Sequence, residues 1–274
     1  MIILMVVLYG LCLGSFINAL VWRIHMLEKT TAKKAKQKYS ILNGRSMCVH
    51  CKHVLGPLDL VPVFSWLVLR GRCRYCNKPI SWQYPAVELA TTALFIASYT
   101  FWPVHLAGYQ WAVFVSWLVT LIGLIAMAVY DLKWFILPDR LTLFVTAVVG
   151  LQLTAGVVFF GQSSRGFMDA ILAGIICFGL FWILFQVSGG KWIGGGDVKL
   201  VFVLGLLAGD IVRGFLVIFL ASLIGCAVAL IILPFKRLRL HSKLPFGPLL
   251  IGGTIIVYLF GAGMVAWYKQ QIGY

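Results

Sequence analysis

Charge is scarce in this chain. Only 11% of its 274 residues are Asp, Glu, Lys or Arg, against 61% apolar, which leaves too little polar surface to coat a soluble globule. Acidic residues are the scarcest, 8 against 23 Lys and Arg, for a net charge of +15. That excess requires no nucleic-acid partner, because dispersed basic loops are what orients a bilayer protein. No basic residue precedes the first apolar run, so residues 1–22 read as a retained anchor rather than a cleaved signal. There is no internal repeat of the kind transporters use, and no Rossmann-like Gly-x-Gly-x-x-Gly to announce a nucleotide cofactor.

What the chain has in quantity is uncharged runs of about 20 residues, the length needed to cross a bilayer as a helix. Eight spans are expected: 1–22, 85–102, 111–130, 141–160, 170–188, 199–212, 215–234 and 244–268. The sixth carries Asp210 and is short. The expected fold class is therefore an all-α polytopic membrane protein of about eight transmembrane helices, with a small zinc-binding cytoplasmic lobe. Residues 23–82 hold 12 of the 23 Lys and Arg, and three loops at 133–140, 189–199 and 236–243 hold most of the rest. Short loops that keep positive charge stay in the cytosol. With eight spans this places both termini outside, and Asp131 and Asp197 at the cytosolic ends of the third and sixth spans, on one membrane face. The lysines from Lys29 to Lys38 are expected to lie along anionic lipid headgroups.

Two of the few acids sit at membrane boundaries, where an ionisable group is costly and is a functional candidate by default. Asp131 closes the run Trp111 to Tyr130, and Asp197 ends Gly194-Gly195-Gly196. Paired carboxylates suit peptide hydrolysis without a covalent step. One removes a proton from water, the other protonates the developing oxyanion, and the pair shares a single proton. Asp139 rivals Asp131, although its place after Pro138 and before an apolar run also suits a first-turn aspartate that offsets a helix dipole. The glycines before Asp197, Gly194 and Gly196 above all, would let an extended substrate strand approach the backbone.

The soluble segment holds Cys48-x-x-Cys51 and Cys73-x-x-Cys76 with 21 residues between the pairs. Four thiolates at this spacing close a tetrahedral zinc site, and the alternative is a pair of disulfides. A cytosolic loop is reducing, which favours zinc. Four sulfur ligands leave no position for water, so this zinc would be structural. His50 and His53 are expected to face solvent, and Cys12, Cys177 and Cys226 to behave as small apolar residues.

The order of several motifs carries a resemblance over nearly the whole chain. They are Gly14-Ser15-Phe16-Ile17-Asn18, the two cysteine pairs, Leu69-Arg70-Gly71-Arg72, Tyr84-Pro85-Ala86-Val87-Glu88, Tyr130-Asp131, Leu137-Pro138-Asp139 and Gly194-Gly195-Gly196-Asp197-Val198-Lys199. The chain resembles the type IV prepilin peptidases, aspartic proteases of the Gly-x-Gly-Asp type. The resemblance implies a multi-pass protein of the bacterial cytoplasmic membrane that cleaves the leader of prepilins and pseudopilins, for pili or type II secretion. It further implies methylation of the new N-terminus with S-adenosyl-L-methionine. It matches Asp131 and Asp197 to the catalytic pair. Beside them Gly194 and Gly196 are expected to admit the substrate, and a lysine such as Lys199 or Lys133 to meet an acidic residue early in the mature pilin.

For the methyl donor the resemblance points to the zinc loop, where the turn Arg70-Gly71-Arg72 beside Cys73 and the acids Glu28, Asp59 and Glu88 are candidates. The expected organisation is a first helix at 1–22, a four-cysteine zinc loop at 23–84 and a membrane-embedded peptidase domain at 85–274. Presenilin-like proteases share Tyr-Asp and Gly-x-Gly-Asp, and Pro245-Phe246-Gly247-Pro248 adds to that likeness, but they lack the paired-cysteine loop. A proton-coupled transporter would place its carboxylates at midplane sites between repeats.

Overall fold

The computed structural model describes residues 1–31, 37, 39–41, 44–232, 245–271 and 273. Among them the chain is almost wholly helical, with two isolated β-bridges and no strand. Among the described residues the first hundred contain the α-helices α1 (Ile2–Lys29), the short α2 (Phe64–Val68) and α3 (Gln83–Thr100), with a 3-10 turn at Pro57–Leu60. Six follow: α4 (Gln110–Trp134), α5 (Asp139–Phe160), α6 (Ser164–Ser188), α7 (Gly195–Ala208), α8 (Ile211–Ile232) and α9 (Gly247–Gln271). The chain divides into two compact units, Met1–Thr100 and Phe101–Tyr274.

In the first unit α1 and α3 run antiparallel in intimate contact. A Cβ on Gly14 would lie 2.6 Å from the Cα of Glu88, and one on Gly10 would lie 2.7 Å from the Cα of Thr92. Only glycine allows backbones to meet so closely, which is how membrane helices associate without a hydrophobic drive between them. One turn further on, Asn18 donates from Nδ2 to the carbonyl of Tyr84 at 3.1 Å. Arg23, at the end of this face, is buried and satisfies the carbonyls of Ser40, Ile41 and Gly44 at 3.2, 2.9 and 2.8 Å.

The second unit surrounds a short, buried helix. Nine of the 14 residues of α7 are buried, and it packs against α5, α6, α8 and α9. A Cβ on Gly205 would lie 2.7 Å from the Cα of Gly174, so α6 and α7 also touch through glycine. Between α4 and α9, Trp117 and Tyr258 stack face to face at 3.8 Å in the middle of the unit.

Among the described residues six helices are long and apolar enough to cross a bilayer: α1, α4, α5, α6, α8 and α9. The second expected span is α3, at 18 residues and with Glu88 buried in it. The sixth, expected over 199–212, is α7, and its 14 residues reach only about 21 Å at the α-helical rise, short of the roughly 30 Å hydrocarbon core. It ends early because Gly209 takes the left-handed conformation at φ 80° and Asp210 caps the next helix, accepting the N–H of Arg213 at 2.9 Å. Conversely α1 continues past residue 22 into a polar stretch that ends at Lys29. The ends of the seventh and eighth expected spans at Pro234 and Leu244, and most of the lysines between 29 and 38, lie outside the described residues. The expected boundary at residue 85 and the compact boundary after Thr100 differ by one helix, α3, which packs on α1.

Candidate active site and candidate metal centre

Asp131 lies one turn from the end of α4 and is 6% exposed. The helix stops because Phe135 turns left-handed at φ 56° and returns its N–H to the Asp131 carbonyl at 2.8 Å. The Asp131 side chain is held from another direction, its Oδ2 accepting the backbone N–H of Gly247 at the start of α9 at 3.2 Å. Asp197 occupies the first turn of α7, half-buried, and its charge and that of Asp131 are within electrostatic reach of each other.

Leu137 holds these three helix ends together. A Cβ on Gly196 would sit 3.0 Å from the Leu137 Cβ, and one on Gly247 would sit 3.6 Å from its Cδ1 and 2.7 Å from the Asp131 Oδ2. Gly196 and Gly247 therefore admit the Leu137 side chain between α7 and α9. Gly194 is exposed just ahead of Asp197, and its carbonyl accepts the Asp197 N–H at 3.0 Å.

Asp139 has different surroundings. It is exposed in the first turn of α5 and pairs with Lys199 Nζ at 2.7 Å, both side chains more than half in the open. Of the two candidate partners for Asp197, Asp131 is the buried one and Asp139 the solvated, ion-paired one. Lys133 lies with its ammonium 5.2 Å above the ring of Trp134.

The cysteine pairs form two knuckles with the same bonding. Cys48 N–H bonds to the His53 carbonyl at 3.0 Å and Lys52 N–H to the Cys48 carbonyl at 3.0 Å. Cys73 N–H bonds to the Lys78 carbonyl and Asn77 N–H to the Cys73 carbonyl, both at 2.9 Å. In each the residue after the second cysteine is left-handed, Lys52 at φ 58° and Asn77 at φ 57°, and a bridge closes the turn, Met47 to Val54 and Arg72 to Pro79. The four sulfurs lie within 4.8 Å of one another, with Cys48 and Cys76 3.9 Å apart, and none is in a disulfide. Thiolates about 2.3 Å from one tetrahedral ion would be about 3.8 Å apart, so the cluster can hold a metal ion.

Two of the thiols, those of Cys48 and Cys76, titrate unlike free ones. Against burial, the N–H groups of Cys51 and His50 and the neighbouring thiols bring Cys48 down to about 7. Cys76, despite the Lys78 N–H, is pushed up to about 11 by burial and its bonds to the other sulfurs. Four sulfurs this close cannot all ionise unaided, and a divalent cation is what would allow it. His50 and His53 are exposed, and the His53 ring lies 3.7 Å from that of Tyr75. Cys12, Cys177 and Cys226 stand outside the cluster.

The other lobe residues fall on its frame. Gly71, at φ 67°, closes the C-terminal side of α2 against the ring of Trp66, whose indole N–H reaches the Ile80 carbonyl at 3.1 Å. Glu88 is buried and grips the N-terminal side of α2, its Oε2 accepting the Val63 N–H at 2.6 Å. Glu28 is exposed in the last turn of α1. Asp59 bonds Gly56 N–H, Arg74 and Tyr75 at 3.1, 2.8 and 3.0 Å. Sequence reasoning missed the parts played by Leu137 and Gly247. The signals were Leu137-Pro138-Asp139 and the glycine flanked by Phe246 and Pro248, since an amide just ahead of a helix-starting proline is left free to bind a carboxylate.

Apolar helices of membrane length, two acids at helix ends and a four-cysteine lobe define a class: polytopic membrane proteins with paired carboxylates and a cluster able to hold a metal ion. Comparison with known proteins narrows it. Residues 8–102 match the bacterial peptidase A24 N-terminal domain, and residues 118–231 match the type IV leader peptidase family. The chain is 32% identical to a prepilin leader peptidase/N-methyltransferase of Aeromonas hydrophila, over 96% of this chain and 92% of the relative. It is 31% identical to that of Pseudomonas aeruginosa, covering 99% and 95%, and 30% identical to that of Bacillus subtilis, covering 97% and 98%. No solved structure matches it. The chain belongs to the type IV leader peptidase family.

Proposed function

We propose that the chain is a membrane aspartic endopeptidase in which Asp131 and Asp197 hydrolyse the bond between leader and mature N-terminus of type IV prepilins and pseudopilins. The reading is carried by the burial of the Asp131 carboxylate under the Gly247 N–H, within electrostatic reach of Asp197, in a chain of this family. One ionised carboxylate takes a proton from water as the oxygen attacks the carbonyl carbon. The other, protonated, donates to the developing oxyanion. Collapse of the tetrahedral intermediate sends a proton to the leaving amine and restores the shared proton. Gly194 and Gly196 leave room for an extended substrate beside Asp197. Lys199 supports the site from outside, exchanging Asp139 for an acidic residue of the mature pilin.

The second activity is N-methylation of the exposed amine with S-adenosyl-L-methionine, which the names of the relatives support. Gly71, Glu28 and Glu88 are the candidates for holding the donor. The metal is zinc, bound by Cys48, Cys51, Cys73 and Cys76, and its role is structural, since four sulfurs leave no open position. The protein lies in the bacterial inner membrane with its N-terminus outside and the carboxylate pair and zinc lobe at the cytosolic face, a topology that the distribution of Lys and Arg supports.

Incubation of the purified, bilayer-embedded protein with a prepilin and S-adenosylmethionine tests both activities by product mass. Loss of the leader and gain of one methyl are expected. An uncut prepilin under conditions where the protein is folded would overturn the reading.

A further inference from the structure

The register of α1 against α3 measures how deep the cysteine lobe sits. Gly10 meets Thr92, Gly14 meets Glu88, and Asn18 meets Tyr84, so each step along α1 is matched by an equal step back along α3. In that register Trp82 is level with the turn of α1 just before Arg23, the first charged residue of the chain. Trp82 is 73% exposed there. Exposed tryptophan at the end of an apolar run is the mark of the membrane interface.

The short helix α2 straddles this level, tied by one bond on its deeper side and one on its outer side. Val63, just ahead of it, donates its N–H to Glu88, which lies level with Gly14 inside the apolar run of α1. Trp66, within α2, reaches the Ile80 carbonyl, two residues before Trp82. From this anchored position α2 turns Phe64, Leu67 and Val68 outward, Phe64 being 69% and Val68 73% exposed. Directly after it an open cleft of about 490 Å³ is lined by Val68 and Leu69 together with Arg70, Arg72 and Arg74. Arg74 is paired with Asp59, whereas Arg70 and Arg72 make no ion pair among the described residues.

An apolar wedge at interfacial depth with two uncompensated guanidinium groups beside it matches a lipid leaflet, acyl chains below and phosphates above. A guanidinium fork suits phosphate oxygens. We propose that α2 inserts into the bilayer interface and that the cleft at Arg70 and Arg72 binds the phosphate of an anionic lipid headgroup, docking the cysteine lobe on the membrane. The proposal deepens the membrane reading given above, taking from it only which leaflet is meant.

Hydrogen exchange of the full chain in lipid nanodiscs tests it. Replacing part of neutral phosphatidylcholine with phosphatidylglycerol should slow exchange across residues 64–75, by roughly fivefold for each arginine engaged. Arg70→Asn, which tolerates the left-handed backbone at φ 51°, combined with Arg72→Gln should abolish that slowing. A second variant, Leu67→Ser with Val68→Ser, changes only exposed side chains and should reduce it while metal content stays that of the parent. Equal exchange in both lipids, or the same slowing produced in neutral discs by inorganic phosphate or S-adenosylmethionine, would overturn the proposal. Prepilin cleavage followed in the same discs keeps the two readings apart, because normal cleavage with lipid-independent exchange defeats the docking site alone.

Discussion

The backbone N–H of Gly247 reaches the Oδ2 of Asp131, 116 positions earlier in the chain, at 3.2 Å. The last helix of the second unit thus begins on a carboxylate at the end of its first. A Cβ at Gly247 would stand 2.7 Å from that oxygen, too close for either to remain in place. Gly247→Ala should leave the helices folded but displace Asp131, and a shift of about 1 Å at a reacting group can cost roughly 10²-fold in rate. Timed leader cleavage on a prepilin measures the loss. Cleavage at the parental rate would show that this contact does not position the carboxylate.

The meeting of α1 and α3 at Gly14 is backbone on backbone, so no side chain can yield to a larger residue. Gly14→Val should therefore lower stability by about 1–3 kcal/mol, the range for overpacking, and the loss should show as a lower unfolding temperature in detergent. An unchanged melting temperature would mean that the two helices are further apart than 2.6 Å to the Glu88 Cα implies.

Metal analysis of the purified protein should give one zinc per chain. Cys48→Ser or Cys73→Ser should reduce that ratio severalfold and speed hydrogen exchange through both knuckles, because each knuckle contributes two ligands to one ion. Full zinc content in either variant would contradict a shared four-sulfur centre.

The pair of Lys199 and Asp139 lies in the open, where an ion pair contributes about 0–1 kcal/mol. Lys199→Ala should leave the unfolding temperature nearly unchanged. If the lysine serves the substrate, the loss should appear as a raised KM for prepilins with an acidic residue early in the mature chain, and not for those without one.

Hydropathy alone made six spans readable, because an uncharged run of membrane length has few other uses. For the sixth expected span it found the helix but set its limits at 199–212, whereas α7 runs from Gly195 to Ala208. There an apolar character that suits lipid equally suits the middle of a protein, and the break at Gly209 is a matter of backbone conformation. The four cysteines were legible from spacing, since two Cys-x-x-Cys pairs can aim four sulfurs at one metal. Their repeated hydrogen bonds were not, because Lys52 and Asn77 share no side-chain property that marks the left-handed position. Asp131 and Asp197 stood out as charges at the ends of apolar runs. The choice between Asp131 and Asp139 needed burial, which depends on residues as distant as Gly247.

The most direct measurement compares leader cleavage by Asp131→Asn, Asp197→Asn and Asp139→Asn in bilayers, with helical content checked for each. The first two should lose more than about a thousandfold in rate while staying folded, as expected when one half of an acid-base pair is removed. Asp139→Asn should stay within about fivefold of the parent, the reach of an exposed ion pair. Parental cleavage by either of the first two, or equal silence in Asp139→Asn, would contradict the account.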